Sequence, residues 1–243
     1  CCTNPDKDES MRRRTVRIIL ALVILILLLL AGRYGFTVVT IEDVEQTVQD
    51  EAFDPVACVD GIWESRVLPT FNEEVVALSE VLNRMEPDAN GKAAKENLID
   101  IANQYGLITD GEAHVYMVEG SGRIVDVNAE TSLGTAEVAL DGYDGPIKAQ
   151  IYIGPRIPSD NSSVRDAVGF ITFGDFKEQT ESGKAATDIN KRVLSTALND
   201  IDRENLVGKP ISFKGAFTIR TFNLLDIDVS EIPIVPVEIE LGE

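Results

Sequence analysis

Apolar residues recur at helical spacing in the first half of the body and at alternating spacing in the second. Helix signals begin at Asp54-Pro55, since aspartate is a favoured N-cap and proline fits the first helical position. Val59, Ile62, Trp63 and Val67 follow on one face, and Pro69 is expected to end this helix. A second helix is predicted over residues 72–86, with Val75, Leu78, Leu82 and Met85 on one side, broken by Pro87, Asn90 and Gly91. A third, over residues 92–105, buries Ala94, Leu98, Ile101 and Tyr105 and stops at Gly106, which suits a left-handed C-cap. Short connections make these a small helical-bundle domain over residues 53–108, with Trp63 as its core anchor.

After Leu107 the period shortens. Residues 115–119 and 123–128 flank Gly120-Ser121-Gly122, which reads as a hairpin turn. A phosphate-cradling glycine loop would need a helix behind it, and none is predicted there. Residues 135–140 and 147–153 complete a four-stranded meander. Residues 211–219 and 232–241 add two more strands, the last an edge or irregular one because of Pro233 and Pro236. A helix over residues 184–200 precedes them, with Ile189, Val193, Ala197 and Leu198 inward. The fold class is therefore α+β. This element order fits an OB-like β-barrel domain over residues 109–243 with one inserted helix plugging an end, although periodicity alone admits a generic α+β domain equally.

Upstream, residues 1–10 read as an extension unlike the segment after them. Arg12, Arg13, Arg14 and Arg17 then precede an uncharged run over residues 18–32. Positive residues before an apolar span hold the N-terminus in the cytoplasm and send the rest across the membrane. Residues 11–36 are thus expected to form an uncleaved, single-pass signal anchor in the cytoplasmic membrane, with residues 37–52 as a linker and the body extracytoplasmic. A cleaved signal peptide is the competing reading, against which Gly32 runs into Arg33 without a small-x-small site.

Charge sharpens the picture. The net charge is −19, and residues 34–243 carry 16 Lys/Arg against 38 Asp/Glu. Such a body repels nucleic acid and anionic lipid. Its acidity reads either as a means to solubility or adaptation to a salty medium, or as a surface that recruits a basic partner. Of three cysteines only Cys58 lies in the body, among Val56, Ala57 and Val59, where it reads as a small buried hydrophobe.

Candidate chemistry concentrates in residues 154–179. Gly154-Pro155 should turn the chain, and Asp160 or Ser162 should cap a helical turn carrying Arg165 and Asp166, whose adjacent charges are expected to face different neighbours. Arginine offers bidentate recognition of carboxylates and hydroxyls, and phenylalanines offer an apolar face for sugar rings. One reading is a small-ligand or peptide site made by Arg156, Arg165, Asp166 and Asp175. The other has Arg165 and Asp175 tying the loop to the barrel while Phe170, Phe173 and Phe176 fill the core. No catalytic residue, cofactor or metal ligand stands out. His114 is the sole histidine, no serine has a nucleophile signature, and Asp226, Asp228 and Glu231 lack the spacing of a calcium loop.

Several stretches carry a resemblance: IWESRVLP at residues 62–69, IGPRI at 153–157, SVRDAVGFITFGDFKEQ at 163–179, LVGKPISFKGAF at 206–217 and IPIVPVEIEL at 232–241. Together they resemble domain of unknown function 2291, a family of predicted periplasmic lipoproteins. The resemblance implies a helical region followed by an OB-like barrel, an extracytoplasmic location and genes beside sugar transporters of the ATP-binding cassette type, with no established activity. In place of a lipobox cysteine, Leu30-Ala31-Gly32 continues into Arg33. Two functions are expected on these grounds. The first is a non-catalytic, membrane-tethered accessory protein that contacts a sugar transporter's permease or solute-binding protein, or binds a small carbohydrate, and does not bind nucleic acid. The second is an enzyme acting on a carbohydrate-type solute through Asp166 or Asp175.

Overall fold

The computed structural model describes residues 22–25, 54–203 and 205–242. The chain divides into two units, Cys1–Ala52 and Phe53–Glu243. Of the first unit only residues 22–25 are described, as helix, so the expected extension, anchor and linker otherwise lie outside the described residues. Among those residues no helix is long and apolar enough to cross a membrane.

In the second unit, α1 (Pro55–Ile62) starts as its sequence dictates: Asp54 Oδ1 accepts from the backbone N–H groups of Val56 and Ala57 at 3.0 and 3.1 Å. It does not stop at Pro69. A π-helical turn over Trp63–Val67, in which Leu68 N–H donates to Trp63 O, leads into α2 (Leu68–Glu74), with Pro69 in its first turn. A proline inside a regular helix loses a hydrogen bond and collides with the carbonyl four residues back. The widened turn before Pro69 removes that conflict, and the helix runs on.

The predicted second helix is also divided. Val76–Ala77 form a two-residue strand, β1, before α3 (Leu78–Arg84). Likewise β2 (Lys92–Ala94) replaces the expected first turn of the third helix, leaving Ala94 exposed, and α4 runs over Lys95–Tyr105. Gly106, at the end of α4, is extended, with φ −150°, rather than left-handed. A Cβ there would meet Val115 O at 2.5 Å and the Tyr116 ring at 2.9 Å, so close approach to the sheet is what requires glycine.

Next come β3 (Leu107–Ile108), β4 (Ala113–Asn128), β5 (Thr135–Leu140), β6 (Lys148–Tyr152), α5 (Ser163–Ala167), α6 (Gln179–Ser195), β7 (Pro210–Arg220), β8 (Asp226–Asp228) and β9 (Glu231–Leu241). No hairpin turn exists at Gly120-Ser121-Gly122. Instead β4 is one strand of 16 residues, pairing with β7 over residues 113–123 and with β5 over 122–128. The glycines sit where the strand changes partners. A Cβ on Gly120 would meet Leu140 and Phe213 at 2.8 Å, and one on Gly122 would meet Ala139 O at 2.2 Å. Glycine in a strand marks such bends and close passages.

The pairing order is β4-β5-β6-β9-β7, with β7 returning to β4 and the β6–β9 step parallel. β9 is paired on both sides, but never at the same residue. It follows β6 over residues 231–234 and β7 from Val235 onward, so each proline faces one partner, Pro233 opposite Gln150 and Pro236 opposite Gly215 at a bulge. That handover is why two prolines are tolerated in a strand with two neighbours.

Two hydrophobic clusters result. The first, inner cluster lies against one face of the strands, where Tyr116 stacks on Phe217 at 4.7 Å between ring centroids, and α3 and α4 supply Leu78, Leu82, Leu98 and Ile101. The second lies outside β4 and β9, beneath α1, α2, α5 and α6, and contains Trp63, Phe71, Met117, Ile189 and Val235. The inserted helix α6 was expected to plug an end of the barrel. It packs in the outer cluster instead, and α3 and α4 join the inner one. A boundary between residues 108 and 109 falls inside one compact unit, because both clusters draw on helices and strands from either side of it.

The glycine roles predict opposite outcomes for two alanine substitutions. Gly122→Ala should destabilise by about 2 kcal/mol through its backbone collision, whereas Gly183→Ala on α6, where nothing lies within 4 Å of an added Cβ, should stabilise by about 0.5–1 kcal/mol. Urea unfolding of the two variants measures both.

Candidate functional site

Backbone geometry first brings the central segment together. Gly154 has a φ of 73° and its bond to Pro155 is cis, and Ile153 O, just before it, accepts from Arg203 Nε at 2.7 Å. Ser162 occupies the N-cap of α5 without capping it; its hydroxyl donates to Asp166 Oδ2 at 2.6 Å, and Asn161 Oδ1 accepts from Ser163 N–H at 2.9 Å.

Arg165 and Asp166 do not face different neighbours. Arg165 Nε and Nη2 donate to Asp166 Oδ1 at 2.8 and 2.6 Å, and Nη1 donates to Ser182 O and Oγ at 2.9 and 2.8 Å. Both side chains are less than a fifth exposed. The guanidinium thus joins α5 to α6 and balances a carboxylate held out of water. Asp175 lies apart in function: its Oδ2 accepts from Thr172 N–H at 2.7 Å and Thr172 Oγ1 at 3.0 Å, bonds that hold its carboxyl below the usual range. Arg156 is exposed and takes no part in this network. So the structure joins two of the four candidate residues and leaves Arg156 and Asp175 outside.

Sequence reasoning missed Arg66. Its guanidinium stacks over the Phe170 ring at 3.8 Å and adds to the electrostatic preference for ionised Asp175. Phe170 therefore serves as a platform at the margin of the outer cluster, Phe176 is half-buried, and the Phe173 side chain lies outside the described residues. The one available signal was Arg66 inside the helical run, three residues after Trp63, which no local motif connects to a loop a hundred residues later.

Arg165 and Asp166 form one wall of an open cleft of about 500 Å³, together with Ser182 and Thr172. Leu107, Ile108 and Ile171 add apolar surface to the same lining, beside Thr109 and Asp110. A lining that mixes polar groups with apolar surface can orient a small polar ligand by hydrogen bonds while covering its carbon face.

Elsewhere the chemistry is closed. His114 is buried on β4, its Nδ1 without a partner, and burial, followed by the charge of Lys95, pushes its imidazole down against a smaller upward pull from Glu112. Half-buried Cys58 has its thiol pushed up by burial. Asp228 accepts from the N–H and hydroxyl of Ser230, an ordinary turn, and no metal-holding group of His, Cys, Asp and Glu occurs among the described residues.

A family profile matches residues 23–240, most of the chain. The protein belongs to domain of unknown function 2291. Members of this family are described as predicted periplasmic lipoproteins, which implies a membrane-anchored, extracytoplasmic body. Among solved structures, the crystal structure of an OB-fold protein from Thermotoga maritima is similar to this chain, with a TM-score of 0.58 and 18% identity over 79% of this chain and all of that one. At 18% identity that likeness concerns the fold alone. No curated protein matches the sequence.

This geometry leads to two measurements. Arg165→Ala removes the partner of a carboxylate held largely out of water and should cost about 3 kcal/mol in chemical denaturation. The lowered His114 pKa means that the folded state favours the neutral ring, so its contribution is complete above about pH 6.5 and is lost as pH falls below that value. Stability should accordingly decline as pH falls below about 6.5, and His114→Leu should flatten that part of the profile; an unchanged slope would assign it to other groups.

Proposed function

We propose that this member of domain of unknown function 2291 is a non-catalytic accessory protein, attached to the outer face of the cytoplasmic membrane, that serves a sugar transporter of the ATP-binding cassette type. It acts by binding, with the cleft beside Arg165 and Asp166 receiving a small carbohydrate. The observation that carries this reading is the use of the charged groups: Arg165 donates to Asp166 and to Ser182, Asp166 also accepts from the Ser162 hydroxyl, and Asp175 accepts from the N–H and hydroxyl of Thr172. A general acid or base needs a free titratable group within reach of substrate. These carboxylates are instead arranged to position a wall, which supports affinity without turnover. The link to sugar transport rests on the family resemblance, and the net charge of −19 argues against nucleic acid as the ligand.

Thermal unfolding of the protein against a panel of monosaccharides and disaccharides tests it. A solute at about 100 times its dissociation constant adds about 2.7 kcal/mol and should raise the midpoint by several degrees. Leu107→Asp, at an exposed position in the cleft lining, should remove that shift and leave the ligand-free midpoint within about a degree. Turnover of any bound sugar, abolished by Asp166→Asn, would contradict the proposal, as would a shift that survives Leu107→Asp.

A further inference from the structure

β9 changes partners after Ile234, and the longer remainder of the strand keeps one edge unpaired. β6 follows it only as far as Ile234, opposite Ile151, while β7 continues to pair through Leu241. Gly242 N–H donates to Pro210 O at 2.9 Å. In an antiparallel ladder hydrogen-bonded pairs alternate, so Glu240 and Glu238, opposite Ser212 and Lys214, also bond toward β7. The backbone N–H and C=O groups of Ile239 and Leu241 are then directed to the opposite edge, where no strand of the described residues pairs with them.

Beside that edge runs a groove of about 450 Å³ between β9, the π-helical turn and the residues following α6. Its floor is apolar, with Trp63, Leu68, Ile201 and Ile239, and its rim is acidic, with Glu64, Asp200 and Glu240. No lysine or arginine lines it. A free strand edge over an apolar floor is the arrangement that accepts an extended peptide as an added strand, with main-chain bonds supplying affinity and alternate side chains supplying selection. The carboxylates choose the charge of the occupant.

We propose that this edge docks an extended, basic segment of a partner protein. The segment adds beside Ile239 and Leu241, sets its apolar residues toward Trp63 and Leu68, and turns alternating lysines or arginines toward Glu64, Asp200 and Glu240. At about 3.3 Å per residue, the strip accommodates roughly five residues of partner. The acidity of the body thereby has a local use, and this surface is separate from the carbohydrate cleft, so either assignment can fail alone.

Trp63 is the sole tryptophan of the chain and lies in the groove floor, so its fluorescence reads occupancy directly. The full-length protein in detergent micelles is titrated with a blocked peptide of alternating lysine and valine, with a glutamate-valine peptide, and with a lysine-valine peptide N-methylated at every second residue. The expected result is a saturable Trp63 response to the first, about tenfold or more weaker for the second, and lost for the third, whose strand-pairing donors are blocked. Glu240→Lys, at an exposed position, should weaken the first peptide by about tenfold with an unchanged unfolding midpoint. Equal binding of the acidic or N-methylated peptide would overturn the proposal. An unresponsive wild-type protein, including one whose groove is filled by a second copy or by another segment of this chain, would overturn it too.

Discussion

One strand has to bury both of its faces. β4 sends Tyr116 and Val118 into the inner cluster and Val115 and Met117 into the cluster under the helices, while its backbone serves β7 at one end and β5 at the other. A strand so used cannot be flat. Glycines at 120 and 122 remove the side chains that would obstruct the change of partner, and Gly106 lets α4 approach the same strand where Val115 and Tyr116 lie. The placement of the other elements is set by this wall: α3 and α4 join its inner side, and α1, α2, α5 and α6 cover its outer side.

The central segment is a consequence of the outer layer. α5 and α6 share the outer apolar cluster, and Arg165 adds a directional link between them through Asp166 and Ser182. Arg192 on α6 reaches Asp60 on α1 at 3.2 Å, and Arg66 reaches Phe170. In a body with far more acid than base, each of these arginines offsets local repulsion while fixing an orientation. The clefts are the space left between elements fixed in this way.

Much of the local structure was legible in the sequence, because it depends on neighbouring residues. The Asp54 cap, the inward Ile189 and Val193 of α6, and the positions of β5, β6, β7 and β9 are dictated by spacing and turn chemistry, although α6 runs over Gln179–Ser195, so that the expected Ala197 and Leu198 follow it in a turn. The hidden features depend on distant partners. Gly120-Ser121-Gly122 has the composition of a turn, and only the approach of Ala139 and Phe213 reveals a crossing. Pro69 has the look of a helix stop, and only the π turn before it lets the helix continue. In the candidate site, the concentration of charge was visible, but the pairing of adjacent Arg165 and Asp166 was not: it requires one guanidinium to reach both Asp166 and the distant Ser182, which a helix-face argument does not foresee. Pro233 and Pro236 announced an irregular strand, yet the half-paired edge of β9 emerges only from the registers of two ladders.

If β4 is the shared wall of both clusters, helices and strands must open together. Native-state hydrogen exchange measures this directly. The account predicts that the slowest amides of α1, α4, β4 and α6 exchange through one opening with a common free energy and a common denaturant dependence. Exchange of α1 and α4 through a separate, lower-energy opening, with β4 still protected, would contradict it and restore an independent helical domain.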